Sequence, residues 1–178
     1  MQGGFFLFAL FMFGLAFGSF LNVVAFRFFE VRPCLGGVGP LRGLGGRSRC
    51  MKCGTQLRWF ELIPLLSFVF LRGRCGTCKE KISWQYPVVE LVSGLLFALV
   101  FFKSYEYTNQ IRIYEWLNFS YVFAVFWIAV FLILLLMSVI DLRHYIIPDE
   151  LNLGFLVLGF VGIFLKTLLS RFQQFFIG

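Results

Sequence analysis

The sequence predicts an all-α polytopic membrane protein, with about four transmembrane helices and a polar loop between the first and second helices. The first observation behind this prediction is composition. Of 178 residues, 60% are hydrophobic and only 14% are charged, and so much apolar surface requires lipid. The second is a pair of Cys-x2-Cys sequences, Cys50–Cys53 and Cys75–Cys78, whose thiolates suit a metal site in water.

The first transmembrane helix is predicted within residues 1–26, which carry no charged side chain before Arg27. Residues 5–26 are numerous enough to cross a hydrocarbon core of about 30 Å as a helix. A signal peptide would have a basic start and a small-residue cleavage site, and both are missing. We therefore expect a retained helix with its N-terminus outside the cell and Arg27 inside.

Residues 27–86 are predicted to form a cytoplasmic zinc-knuckle loop. They hold eleven of the sixteen lysines and arginines but only three acids, a bias typical of the cytoplasmic side of a membrane. Nucleic-acid binding is the other explanation of a basic block, but the flanking spans explain the charge, so we expect no nucleic-acid partner. The glycine-rich residues 32–49 are typical of a loop. The apolar run 63–71 is too short to span, and it suits the headgroup region or a position beneath the metal site.

Residues 87–178 are predicted to form a transmembrane region with three further spans. Pro87 suits the first turn of a helix, and Trp116 suits a membrane interface. Polar residues 103–115 indicate an outside connection, and residues 141–150 indicate a short inside connection. The three spans are expected at about 87–102, 116–140 and 151–169.

Four cysteines are the predicted metal ligands: Cys50, Cys53, Cys75 and Cys78. Their C-x2-C-x21-C-x2-C spacing is typical of a structural zinc site, in which four thiolates leave no open coordination position. Such a zinc organises a loop and does not catalyse. An iron–sulfur centre and a redox dithiol are the alternatives. Gly54 and Gly76 each follow a cysteine and predict turns with positive φ, whereas Cys34 has no Cys-x2-Cys partner and no assigned role.

Three polar residues within the spans are candidates for a site at the membrane face. Asp141 ends the third span, and an ionisable group at membrane depth is a functional candidate. The alternative is an interfacial carboxylate paired with Arg143. The Gly18–Ser19 pair allows close helix approach, and Asn22 can hydrogen-bond across a helix interface. Glu90, near the start of the second span, is expected either to snorkel or to meet Asn22 or Asp141.

In their order along the chain, these motifs resemble those of the type IV prepilin peptidases, the bacterial leader peptidases that process prepilins and pilin-like secretion proteins. The resemblance covers nearly the whole chain and implies a multi-pass protein of the bacterial inner membrane. The matching segments are Gly18–Val24 with Arg27, the two cysteine pairs with the residues between them, Ile82–Leu91, and Asp141–Asp149.

The resemblance implies an aspartic endopeptidase of the GxGD membrane type, acting on prepilin or pseudopilin substrates. Two aspartates activate a water, and one carboxyl stays protonated while the other acts as base. Asp141 is the implied first catalytic aspartate. Members with a zinc loop also methylate the new N-terminus with S-adenosylmethionine, which is a second implied cofactor wherever that activity is present.

One departure from the family pattern concerns the second aspartate, which lies in a Gly-x-Gly-Asp motif that these 178 residues lack. Asp149 is a poor substitute, because eight helical residues separate it from Asp141 by about 12 Å and Pro148 interrupts the helix. We therefore expect the N-terminal portion of a peptidase, truncated or split before that aspartate. The alternatives are a non-catalytic relative whose loop docks pilin-like substrates, and a membrane-anchored zinc or redox module unrelated to pilins.

Overall fold

The computed structural model describes residues 2–27, 48–50, 52–110, 119–145 and 148–177. Within these ranges the chain is helical apart from the cysteine-bearing loop, which has no strand and only two isolated β-bridges. A short 3-10 helix lies in that loop at Trp59–Leu62. The α-helices are α1 (Gln2–Arg27), α2 (Leu66–Phe70), α3 (Gln85–Gln110), α4 (Phe119–His144) and α5 (Asp149–Ile177).

Four of these helices are long and apolar enough to cross a membrane, which confirms the predicted fold class. Their mean hydropathy lies between 1.8 and 3.0. Large apolar side chains such as Phe5 and Phe160 are exposed on their outer faces, as expected where lipid takes the place of water. The spans are Gly4–Phe26, Gln85–Glu106, Tyr121–Arg143 and Asp149–Leu168.

The helices α3, α4 and α5 extend beyond the predicted spans. The prediction of a polar connection at 103–115 was wrong for its first part, because α3 runs on to Gln110. Lys103 and Glu106 form a 2.8 Å ion pair within that helix, and pairs at this spacing support polar helix. Residues 111–118, with Trp116, lie outside the described residues. At the other connection α4 continues through His144, so Asp141 lies inside a helix.

The helices α1 and α3 pack closely because small residues line their contact. A Cβ on Gly14 would lie 2.8 Å from the Cα of Gly94, and a Cβ on Gly18 would lie 2.7 Å from the Cα of Glu90. Only glycine allows backbones to approach so closely, and in lipid this packing drives helix association. The expected close approach at Gly18 is therefore confirmed.

The buried core lies near the end of the bundle where α1 finishes and α3 begins. It joins α1, α3 and α4, and α5 packs on the outside of α4, where a Cβ on Gly162 would meet the ring of Phe126 at 2.8 Å. This core fixes the relative positions of the three helix ends that surround the site. Its buried members are Leu21, Ala25, Val89, Leu136, Val139 and Ile140.

Candidate functional site

The first cysteine pair closes a tight turn held by backbone hydrogen bonds. The Cys50 N–H donates to the Thr55 carbonyl, and the Gly54 N–H donates to the Cys50 carbonyl, each at 2.9 Å. An isolated antiparallel bridge between Arg49 and Gln56 closes the base of the turn. Gly54 has φ +68, a conformation that glycine adopts without strain. The predicted positive φ at Gly54 is confirmed.

The second cysteine pair repeats this backbone pattern at equivalent positions. The Cys75 N–H donates to the Glu80 carbonyl at 2.8 Å, and the Lys79 N–H donates to the Cys75 carbonyl at 3.1 Å. A bridge between Arg74 and Lys81 closes the base. The residue equivalent to Gly54 is Lys79, which has φ +60. In both knuckles, therefore, the residue after the second cysteine has a positive φ.

The prediction of a positive φ at Gly76 was wrong, since Gly76 is not among the described residues with positive φ. This glycine provides space instead. A Cβ at Gly76 would lie 2.5 Å from the Oε1 atom of Glu61, whose other oxygen accepts the Arg58 N–H at 2.7 Å. The second knuckle thus packs directly against the carboxylate of the 3-10 helix.

The two knuckles bring all four cysteine sulfurs within 4.8 Å of one another. The Cys50 and Cys78 sulfurs are 3.7 Å apart. In a tetrahedral zinc site with bonds of about 2.3 Å, neighbouring sulfurs lie about 3.8 Å apart. The donor set and its spacing therefore fit a structural zinc ion, with all four coordination positions filled by thiolates.

Hydrogen bonding and desolvation give the thiols of this cluster different pKa values. Hydrogen bonds with the Thr55 hydroxyl, 3.3 Å from the Cys53 sulfur, and with the Thr55 backbone are the main causes that lower the pKa of Cys53 to about 6. Backbone hydrogen bonds within the second knuckle lower the pKa of Cys75. A backbone hydrogen bond from Glu80 lowers the pKa of Cys78, but desolvation and the neighbouring thiols outweigh it and raise that pKa to about 11. Full ionisation of the cluster therefore needs a cation.

Glu90 fastens the loop to the transmembrane helices. Its side chain is buried in the second turn of α3, and its Oε2 atom accepts the Leu65 N–H at 2.8 Å. The Ser19 side chain of α1 gives the carboxylate a further hydrogen bond. Glu90 therefore does not snorkel, and it meets the loop backbone instead of Asn22 or Asp141. No sequence pattern pointed to Leu65, because the group that binds is its backbone N–H.

Asn22 joins α1 to the start of α3. It is 1% exposed, and its Nδ2 atom donates to the Tyr86 carbonyl at 3.2 Å. This is the expected hydrogen bond across a helix interface. Its Oδ1 atom and the Ser93 hydroxyl, both buried, have no hydrogen-bond partner among the described residues.

Asp141 lies in the last turn of α4 with its side chain exposed. This position agrees with the alternative of a solvated carboxylate at a helix end, but the suggested pairing of that carboxylate with Arg143 is wrong. The Arg143 Nε atom donates to the Gln85 side chain at 3.1 Å, and its guanidinium lies 3.5 Å from the centre of the Phe26 ring. The ion pairs among the described residues are those of Lys52 with Glu80 and of Lys103 with Glu106.

These contacts determine which end of the bundle carries Asp141. Phe26 lies in the last turn of α1, and Gln85 begins α3. The residues between these two helices carry the cysteine knuckles. Because Arg143 follows Asp141 by two residues, the Asp141 turn lies at the end of the bundle from which the loop departs.

Two family models match the chain. Residues 12–104 match the bacterial peptidase A24 N-terminal domain, and residues 128–178 match the type IV leader peptidase family. The chain belongs to the type IV prepilin leader peptidase family. The four cysteines, Asn22 and Glu90 fall in the first matched region, and Asp141 falls in the second. Family membership argues against a zinc or redox module unrelated to pilins.

Curated relatives of this family resemble the chain over most of its length. It is 38% identical over 159 residues to a prepilin leader peptidase/N-methyltransferase of Myxococcus xanthus, covering 86% of this chain and 39% of the relative. It is 35% identical over 163 residues to one of Stutzerimonas stutzeri, covering 83% and 51%. A type 4 prepilin-like proteins leader peptide-processing enzyme of Escherichia coli is 35% identical over 158 residues, covering 84% and 54%.

The chain spans about half the length or less of these relatives. No solved structure matches it. The four apolar helices and the relatives together identify a multi-pass protein of the inner membrane.

Proposed function

We propose that this chain forms the N-terminal part of a membrane-embedded aspartic endopeptidase that cleaves leader peptides from type IV prepilins or pseudopilins. The observation that carries the proposal is the contact of Arg143 with Phe26 and Gln85. It brings the Asp141 turn to the same end of the bundle as the cysteine loop. The basic loop favours the cytoplasmic side for this end, so cleavage takes place at the cytoplasmic face and the N-terminus lies outside.

Asp141 is the proposed catalytic carboxylate of these 178 residues. An aspartic dyad needs two carboxyl groups sharing one proton, one as acid and one as base. The exposed Asp141 side chain suits attack by a water on a bound peptide. Asp149 follows Pro148 and begins a separate helix, so we assign the second role to a carboxylate outside these residues, which hold no Gly-x-Gly-Asp sequence.

Cys50, Cys53, Cys75 and Cys78 are the proposed ligands of one structural zinc ion. Bound there, zinc would supply a cross-link between the two knuckles and no open position for a reacting group. The loop of residues 27–86 is then one structural unit and residues 87–178 are the peptidase region. The buried Glu90 connects the two by accepting the Leu65 N–H of the loop, and Asn22 joins the first transmembrane helix, residues 1–26, to the start of α3.

Methylation of the new N-terminus is a second proposed activity. The names of the Myxococcus xanthus and Stutzerimonas stutzeri relatives include N-methyltransferase, and S-adenosylmethionine is the methyl donor we propose. Mass spectrometry of a processed substrate tests this, since methyl transfer adds the mass of one methyl group to the new N-terminus.

A non-catalytic relative that only docks pilin-like substrates is the competing function. A cleavage assay on a prepilin-like substrate in membranes distinguishes the peptidase function from the docking function. We compare this chain alone with the same chain joined to the C-terminal remainder of the Myxococcus xanthus relative. We expect little or no cleavage by the first and cleavage by the second. A joined protein that binds zinc and substrate without cleaving supports docking alone, and robust cleavage by the 178-residue chain contradicts the assignment of the second carboxylate.

A further inference from the structure

An open cleft of about 680 Å³ lies between α2 and the beginning of α3. The Phe68 and Trp84 rings, with centroids 5.0 Å apart, form one wall. Gly73 has φ +66 and lies directly against the Phe68 ring. A Cβ added to Gly73 would lie 3.0 Å from the Cζ atom of that ring. The cleft has an apolar floor and a basic rim.

The apolar floor continues the lipid-facing side of α3. Val88 and Leu91 line the cleft, and both are exposed, as are Leu95 and Leu99 further along the same helix. Residues spaced three and four apart lie on one helix face, so these side chains form a continuous stripe within the Gln85–Glu106 span. An acyl chain lying along this stripe reaches the cleft without leaving the hydrocarbon.

The basic rim consists of Arg72, Arg74 and Lys81, all exposed. Arg74 and Lys81 are opposed across the β-bridge of the second knuckle, and like charges directly opposite each other destabilise a pair of strands. None of the three takes part in an ion pair within the described parts of the chain. A cluster of this kind is stabilised by an anion that lies between the side chains.

The depth of the basic rim relative to the lipid headgroups determines which kind of anion can bind there. Trp84, 74% exposed, lies just before the span, where interfacial aromatics are found. The rim therefore lies at headgroup level, directly above the apolar stripe. Basic pockets in this position next to transmembrane helices bind anionic lipid headgroups.

We propose that this cleft binds an anionic phospholipid, with the phosphate against Arg72, Arg74 and Lys81 and an acyl chain against Val88 and Leu91. A free phosphate would leave the floor uncovered, and a zwitterionic lipid would leave the rim charge uncompensated. The bound lipid would hold the second zinc knuckle on the membrane surface. This site goes beyond the proposed peptidase activity and does not depend on it.

Native mass spectrometry of the detergent-purified chain tests the proposal with dioleoyl phosphatidylglycerol and dioleoyl phosphatidylcholine as probes. We expect the wild-type chain to bind phosphatidylglycerol about tenfold more tightly, and the Arg74→Gln/Lys81→Gln variant to lose most of that preference. The control Lys103→Gln/Lys166→Gln removes two exposed charges elsewhere and should keep it. Because Arg74 adjoins a zinc ligand, Val88→Glu serves as a second variant that leaves the loop unchanged and should also lose the preference.

Three outcomes overturn the proposal. The first is equal binding of the two lipids by the wild type. The second is an unchanged preference in Val88→Glu and in an Arg74→Gln/Lys81→Gln protein that retains its zinc. The third is displacement of the lipid by glycerophosphoglycerol at the concentrations at which the lipid itself competes, because this would identify a phosphate site with no role for the apolar floor.

Discussion

The backbone N–H of Leu65 donates a 2.8 Å hydrogen bond to the carboxylate of Glu90, and this bond fastens the loop between the cysteine pairs to α3. Leu65 has φ +58, which is unfavourable for a residue that carries a Cβ. The conformation therefore persists only while its surroundings hold it. A transmembrane carboxylate here acts as an acceptor for the backbone of a loop outside the span.

Replacing Glu90 tests this attachment. Glu90→Ala leaves the partly buried Leu65 N–H without this partner, at a cost of up to about 1–3 kcal/mol, whereas Glu90→Gln keeps an acceptor. We expect faster hydrogen exchange in a peptide containing Leu65 for Glu90→Ala and nearly wild-type exchange for Glu90→Gln. Exchange is read by mass spectrometry. Equal acceleration in both variants would mean that the charge and not the hydrogen bond holds the loop.

Gly18 is the most direct test of the α1–α3 contact. In Gly18→Ala the new Cβ would meet backbone atoms of Glu90 and Val89 at 2.7–2.9 Å, so the helices must separate. We expect a loss of about 1–3 kcal/mol, measured as the midpoint of unfolding in SDS. The control is Gly159→Ala, where nothing lies within 4 Å of the added Cβ and helix propensity favours alanine. Equal midpoints for the two variants would contradict the close packing.

Zinc content tests the four-thiolate site. We expect one zinc per chain in the wild type, loss of most of it in Cys50→Ser, and a disordered loop in that variant, since removing one ligand breaks a closed site. Cys34→Ser is the matched control and should keep full zinc, because the Cys-x2-Cys spacing excludes Cys34. Metal analysis of the purified proteins measures this. Full zinc in Cys50→Ser, or iron in place of zinc, would rule out the assigned site.

Much of the fold follows from the sequence, because composition and spacing act over short distances. The four spans are visible as apolar runs, and each knuckle is a local turn, so the cysteine cluster was predictable. Helix ends were predicted less well. A run of apolar residues shows which part of the chain lies in the membrane, but a helix can continue through polar residues beyond it. For this reason α3 continues past Lys103 to Gln110.

The contacts of the site were predictable only in part. Close packing at Gly18 and a cross-helix bond from Asn22 follow from residue type. The partners of Glu90 and Arg143 do not, since Glu90 binds a backbone group of Leu65 and Arg143 lies on Phe26 and Gln85. Such partners depend on how distant segments pack. The role of Gly76 was equally unpredictable from the sequence, because it depends on the position of the Glu61 carboxylate.

The most direct test of the central claim, that Asp141 is one of two catalytic carboxylates, is the cleavage rate of a prepilin-like substrate by the chain joined to the Myxococcus xanthus remainder. Asp141→Asn keeps the shape of the side chain and removes its ability to transfer a proton, so we expect the rate to fall by about 10²–10⁴-fold. Asp149→Asn, in the first turn of α5, is the matched control and should cleave like the parent. Parent-like cleavage by Asp141→Asn would contradict the assignment.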